Sequence, residues 1–134
     1  MAFGGQVGGR KYANVTLTYD GKTATVVALR DTGNCLKDPI TGESVLVVSG
    51  DVAHRLTGLS QSQIGNPMET MIQNPMAGLR LIPFCSVGNP GGMLLALPFD
   101  DCTIDGIRRR TLVAFAPDAL GRGEVYQALT GGVI

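Results

Sequence analysis

Two Asp-Gly dipeptides, each lying between segments of β character, constrain the fold of this chain most. The first joins residues 12–19 to residues 22–29, and the second joins residues 102–104 to residues 107–116. Asp-Gly between alternating apolar segments is the strongest short-range signal of a β-hairpin with a two-residue loop. The sequence therefore predicts two antiparallel hairpins in a domain built mainly of short strands.

The remaining segments add short elements and turns. The chain contains 19 glycines and seven prolines, a composition that favours many turns over long helices. Residues 59–78 lack a clear periodicity and are interpreted as a long loop. The count is about seven strands and two short helices. The further predicted elements are strands at residues 44–48, 79–85 and 93–98, a helix at residues 51–56 between Ser49 or Asp51 and Gly58, and a helix at residues 123–129.

Composition and charge exclude several classes of function. Eleven basic residues balance eleven acidic ones, so no net charge steers the domain to nucleic acid or to an anionic membrane surface. No apolar run approaches the roughly 18 residues that a membrane-spanning helix needs. Residues 1–9 are predicted to be a flexible N-terminal segment, and residues 10–134 a single domain.

The cysteines predict neither a metal site nor a disulfide framework. Cys35, Cys85 and Cys102 are odd in number and widely spaced, without a Cys-x-x-Cys pair. No metal and no cofactor are therefore expected. Cys35 and the one histidine, His54, leave a thiol hydrolase as an alternative, although no third catalytic group accompanies them. His54 is expected on the exposed face of a short helix.

The first hairpin ends in a motif that carries chemistry. Its apolar second strand passes through Arg30 into Asp31-Thr32-Gly33, and a buried strand that ends in Asp-Thr-Gly is a half-site signature of aspartic proteases. Two carboxylates that share one proton perform that catalysis. The chain contains one such triplet, so a twofold axis between two copies would have to supply the second Asp31. Thr32 would reach across that axis, and Gly33 would let the backbone approach the carboxylates.

The triplet begins a longer pattern. Asn34, a leucine and Asp38-Pro39 follow it, and then come a small turn and a valine-rich strand at residues 44–48. This pattern resembles the sporulation sigma-factor-processing peptidases of endospore-forming bacteria. Residues 79–88 and 92–96 resemble the same family, as does the weaker segment at residues 126–129.

The resemblance implies a mostly-β, retropepsin-like domain with a single β-barrel-like lobe and one or two short helices. It implies an aspartic endopeptidase that cleaves the pro-sequence from a sigma factor precursor, acts as a homodimer and is switched on by a forespore signal protein. Asp31 would be catalytic, supported by Thr32, Gly33 and Asn34. The chain would be the cytoplasmic domain of a membrane-anchored protein on the mother-cell side of the septum, joined to the membrane only by an N-terminal part that this sequence lacks.

Arg80 and Ser86 lie in the second matched segment and are candidates for substrate or interface contacts. The flap over the substrate is expected at residues 59–78 or at residues 86–92. Arg108, Arg109 and Arg110 form a basic run that is interpreted as a solvated sheet face, partly paired with acids. The acids near this run are Asp100, Asp101 and Asp105.

Two departures from general retropepsins are visible. Arg30 stands where an apolar residue is usual, and its charge needs an outlet, either solvent or an acid such as Asp38. The late motif of two apolar residues and a glycine has its nearest counterpart in Ala119-Leu120-Gly121. The second hypothesis is therefore a catalytically silent, retropepsin-like dimerisation or binding module.

Overall fold

Strands dominate the computed structural model, which describes residues 11–30, 38, 40–42, 44–74, 76–86, 89–117 and 128–130. The prediction of a mostly-β domain is confirmed. Seven strands and three short helices occur among these residues. In chain order they are β1 (Lys11–Tyr19), β2 (Lys22–Arg30), β3 (Leu46–Ser49), α1 (Gly50–Thr57), α2 (Gln61–Gly65), α3 (Pro67–Gln73), β4 (Arg80–Ser86), β5 (Asn89–Ile104), β6 (Ile107–Ala116) and β7 (Ala128–Thr130).

One sheet contains all seven strands. Its order is β1-β2-β7-β3-β6-β5-β4, and β1 pairs in addition with the C-terminal part of β5. In that extra ladder Val15 lies opposite Ile104 and Thr18 lies opposite Asp101. The sheet therefore curls so that β1 also reaches β5, and β4 extends from the other half of β5.

Both Asp-Gly hairpins form as predicted. Asp20 and Gly21 have φ values of 50° and 81°, and Asp105 and Gly106 have φ values of 49° and 85°. Positive φ at both central residues is the geometry of a type I′ turn, whose twist matches that of the flanking strands. The first hairpin thus delivers β2 to the Asp-Thr-Gly triplet.

Apolar side chains fill both faces of the central strands. The face inside the curled sheet holds the larger cluster, which includes Leu17, Leu46 and Phe115. The opposite face of β3, β4, β5 and β6 holds a second cluster, which includes Ile82 and Leu112. Strands buried on both faces are the ones whose sequences read as continuous apolar runs.

The predicted loop at residues 59–78 is wrong, because α2 and α3 lie within it. Ser60 accepts a hydrogen bond from the Gln63 amide at 3.1 Å, and the Gln63 side chain accepts one from the Ser60 amide at 2.8 Å. This reciprocal capping box begins α2, and Pro67 occupies the first turn of α3. The sequence signals for the starts of these two helices are Ser60-x-x-Gln63 and Asn66-Pro67.

Other element boundaries needed smaller corrections. The strand expected from residue 44 begins at Leu46, and the strand expected at residues 93–98 belongs to the longer β5. Ser49 precedes α1 and Gly58 ends it, as predicted. The helix predicted at residues 123–129 is wrong at Ala128 and Leu129, which lie in β7, and its other residues lie outside the described residues. Residues 1–9 also lie outside them.

None of the helices in the described part of the chain is long and apolar enough to cross a bilayer.

A substitution at Gly50, the first residue of α1, tests how closely this helix packs against the sheet. A Cβ at this position would lie 2.8 Å from the carbonyl oxygen of Ala116, whereas a Cβ at Gly65 would have no neighbour within 4 Å. We expect Gly50→Ala to lower the free energy of unfolding by about 1–3 kcal/mol, because the backbone of β6 must move. The control, Gly65→Ala, should be neutral or stabilising by up to about 1 kcal/mol, because alanine favours helix. Urea denaturation measures both, and equal effects would contradict this packing.

Candidate functional site

Strand β2 carries the chain to Asp31. It pairs along its whole length with β1 and, over its last three residues, in parallel with β7. Ala24, Val26 and Ala28 face the inner core, and Leu29 is buried as well. The predicted site residues Asp31, Thr32, Gly33 and Asn34 lie outside the described residues, so their roles stay predictions.

Arg30, the last residue of β2, is paired with an acid. Its Nη2 donates to Asp105 Oδ2 at 2.6 Å, and the two side chains are 24% and 43% exposed. The charge of Arg30 is therefore paired with an acid, as expected, but the acid is Asp105. The suggestion of Asp38 is wrong, because Asp38 lies against Arg80 instead.

Asp38 is the most deeply buried acid among the described residues, at 4% exposure. Its Oδ1 accepts a hydrogen bond from the Ile40 amide at 2.9 Å, and its Oδ2 lies 3.4 Å from Arg80 Nη1. Its carbonyl oxygen accepts a bond from the Gly42 amide at 2.8 Å, which forms the turn predicted at residues 38–42. The Ile40 amide, helped by Thr41 and Arg80, holds the pKa of the Asp38 carboxyl below its ordinary value against the effect of burial.

A pocket of about 260 Å³ opens beside this pair. Charged and polar groups dominate its wall, so it suits a polar group better than an apolar one. No local sequence pattern predicts this pocket, because Asp38 and Arg80 are 42 residues apart. Its lining includes Asp38, Thr41, Arg80, Pro98, Arg110 and Leu112.

Arg80 and Ser86 do not form one cluster. They are the first and last residues of β4, so about 20 Å of extended strand separates them. Arg80 lies opposite Ala96, whereas Ser86 lies opposite Asn89 beyond a register shift. Their predicted contacts with substrate or interface would therefore have to be made at two different places.

The remaining sequence candidates are placed as follows. His54 lies exposed on α1, as predicted, and its Nδ1 is 2.9 Å from the Leu59 carbonyl oxygen. Cys35 lies outside the described residues. Cys102 is a buried free thiol, and burial raises its pKa. The basic run is exposed and partly paired, as predicted: Arg108 with Asp101 and Arg110 with Asp100, each at 3.2 Å.

Comparison with known proteins decides the family. The sequence model of peptidase family U4, described as sporulation factor SpoIIGA, matches residues 7–132. The chain belongs to this family. No curated protein and no solved structure matches the chain. The resemblance seen in the sequence is thereby confirmed, and the chain is a sporulation-associated peptidase, a hydrolase that acts on peptides.

The buried carboxylate of this U4 peptidase should make its stability depend on pH. Asp38→Asn keeps an oxygen acceptor for the Ile40 amide but removes the charge that faces Arg80. We expect it to lower the free energy of unfolding near neutral pH by about 1–2 kcal/mol. Because the pKa of Asp38 is depressed in the folded state, its stabilisation is present above the unfolded pKa of about 4 and is lost as the pH falls through the folded value.

The difference between wild type and Asp38→Asn should therefore shrink below about pH 4. Urea titrations across the acidic range measure it. Asp20→Asn, a change in an exposed turn, is the control and should stay close to wild type throughout. A difference that is the same at every pH would show that the charge of Asp38 does not stabilise the fold.

Proposed function

We propose that this peptidase is an aspartic endopeptidase whose site is assembled from Asp31 of two copies of the chain. The observation that carries the proposal is strand β2, which is buried on one face and ends at Arg30 immediately before Asp31-Thr32-Gly33. One carboxylate would take a proton from a water molecule held between the pair. The other, protonated, would donate to the carbonyl oxygen of the scissile bond, and no covalent intermediate is needed.

The neighbours of β2 support this proposal. Strand β7 lies parallel to β2 and antiparallel to β3, so it is held between the strand that precedes the triplet and the strand that follows it. It places the backbone of Ala128 and Leu129 beside Ala28 and Leu29, shortly before Gly131. We propose that this segment supports the loop that carries Asp31; Ala119-Leu120-Gly121 lies outside the described residues.

Five of the described aspartates already have partners, which supports a second chain as the source of the second carboxylate. Asp105 contacts the end of β2, but Arg30 and the Asn14 amide occupy its two oxygens. Asp38 is paired with Arg80, and Asp51 accepts a hydrogen bond from Ser49 at 2.7 Å. Asp100 and Asp101 are each paired with an arginine. None of these five carboxylates is left to share a proton with Asp31.

The β4–β5 hairpin is the better candidate for the flap. The register of β5 with β6 begins at Ala96, whereas β4 pairs with β5 as far as Ser86 and Asn89. The end of this hairpin is thus a two-stranded ribbon that can bend over a substrate. The other candidate, residues 59–78, contains α2 and α3, whose Ile64 and Thr70 are buried against the domain.

The substrate we propose is the precursor of a sporulation sigma factor, from which the enzyme removes the pro-sequence. A forespore signal protein would promote pairing of two chains, and the domain would face the mother-cell cytoplasm from a membrane anchor. These points rest on the family alone. A half-site in each chain makes pairing a natural point of control, because an unpaired chain holds only one of the two carboxylates.

Replacing the proposed catalytic carboxylate tests the mechanism. We expect Asp31→Asn to lower the rate of precursor cleavage at least about 10³-fold, because asparagine can neither share nor accept the proton. Asp20→Asn is the matched control, since Asp20 also precedes a glycine but sits in a hairpin turn, and it should cleave like wild type. Quantified gels of precursor and product measure the rate. Cleavage by Asp31→Asn at the wild-type rate would rule out the aspartic mechanism, whereas no cleavage by wild type itself would favour the silent binding module.

Mixing active and inactive chains tests the shared site. At concentrations where nearly all chains are paired, an equal amount of Asp31→Asn chain should lower the wild-type rate to about half, because mixed pairs lack one carboxylate. An equal amount of Asp20→Asn chain should instead add its own activity. If added Asp31→Asn chain leaves the rate unchanged, each chain contains a complete site and the dimer proposal is wrong.

A further inference from the structure

The side chain of Asp105 connects three strands at the end of β2. Its Oδ2 accepts a hydrogen bond from Arg30 Nη2 at 2.6 Å, and its Oδ1 accepts one from the Asn14 amide at 2.9 Å. The Asp105 amide donates in turn to the Asn14 carbonyl oxygen at 2.8 Å. A single residue therefore ties the β5–β6 turn to β1 and to the last residue of β2.

Turn chemistry does not explain this carboxylate. The turn needs a residue that tolerates positive φ, and asparagine or glycine would serve as well. The turn at Asp20 and Gly21 has the same conformation, yet Asp20 makes no ion pair with any other described residue. The pairing with Arg30 is thus particular to the second turn.

Arg30 lies where a charge needs a partner. It shares a face of β2 with Ala28, which is fully buried, so its side chain starts on the core side of the sheet. Its backbone lies between Lys11 of β1 and Thr130 of β7. The sheet fixes the backbone of Arg30, and Asp105 fixes its side chain. The next residue in the chain is Asp31.

We propose that Arg30 and Asp105 are positioning residues, whose ion pair fixes the end of β2 and through it the position of Asp31. This inference rests on the proposed aspartic mechanism. A displacement of about 1 Å in a reacting group can cost about 100-fold in rate. The pair is partly exposed, so it contributes little to stability, and an effect on catalysis can be separated from an effect on folding.

Two variants break the pair, and two controls match them. Asp105→Asn keeps the turn conformation and the acceptor for the Asn14 amide, and Arg30→Met keeps an unbranched apolar stem without the guanidinium. Asp20→Asn makes the same change in a turn of the same type. Asp101→Asn removes an acid that is 45% exposed and pairs with Arg108 on the same hairpin.

We expect Asp105→Asn and Arg30→Met each to lower kcat for precursor cleavage by about tenfold, with KM within about twofold of wild type. Their melting temperatures should match those of the controls. The double variant should be no slower than the slower single variant, because both changes remove one contact. Arg30→Lys should recover part of the rate. Equal kcat in Asp105→Asn and the two controls, or a double variant whose loss is the product of the single losses, would overturn the proposal.

Hydrogen exchange gives a readout that does not need cleavage. We expect amides in the segment that begins at Asp31 to exchange faster in Asp105→Asn than in wild type, and Asp20→Asn to match wild type. If Asp31→Asn cleaves as well as wild type, the aspartic mechanism is wrong. Faster exchange in Asp105→Asn would still show that the Arg30–Asp105 ion pair holds the end of β2 in place. If exchange in Asp105→Asn equals that in Asp20→Asn, the ion pair does not position this segment, whatever the mechanism of cleavage is.

Discussion

The arrangement of the whole sheet depends on β5, because different parts of this one strand pair with different neighbours. Its N-terminal part pairs with β4, its C-terminal part pairs with β1, and β6 pairs with both sides of a register shift between Phe99 and Cys102. The register shift is a bulge or irregularity in this sixteen-residue strand, and such a feature bends a strand. Through that bend the β1–β2 hairpin is brought over the inner core, where Tyr19 packs on Phe99 with ring centroids 5.2 Å apart. The position of β2, and so the start of the proposed catalytic loop, follows from β5.

Burial divides the sheet into two kinds of strand. On β1 and β2 the threonines face outward and pair across the hairpin, Thr16 with Thr25 at 3.3 Å and Thr18 with Thr23 at 3.0 Å. The last six residues of β6 and all four residues of β3 are buried instead. Alternation therefore marks the strands with one solvated face, and continuous apolar runs mark the strands at the centre. The Asp-Thr-Gly triplet follows a strand of the first kind but is flanked by β7, whose neighbour on the other side is the fully buried β3.

Structural features that depend on neighbouring residues could mostly be predicted from the sequence. Contacts between residues that are distant in the sequence could not. Both hairpins, α1 and the strand before Asp31 rest on local turn, capping and alternation signals. The two helices between Leu59 and Gly78 were missed although their capping signals are local, because a polar composition without periodicity outweighed them. The pairing of β1 with β5 and the place of β7 could not be predicted, since no local pattern encodes them. The same holds for Arg30 and Asp105, which are 75 residues apart. The family was evident from the pattern that begins at Asp31, whereas the pair of Asp38 and Arg80 was found only in the structure.

The arginine at position 30 also bears on why one chain would not form a site by itself. A carboxylate beside the end of β2 could in principle share a proton with Asp31, and Asp105 is the one described acid that contacts this end. An apolar residue at position 30 would leave Asp105 without its cation. With Arg30 present, both oxygens of the Asp105 carboxylate accept hydrogen bonds, Oδ2 from the Arg30 guanidinium and Oδ1 from the Asn14 amide. Arg30 therefore engages the one described acid that contacts the end of β2. This arrangement agrees with the proposed mechanism, in which a partner chain supplies the second carboxylate and pairing of two chains is the point of control.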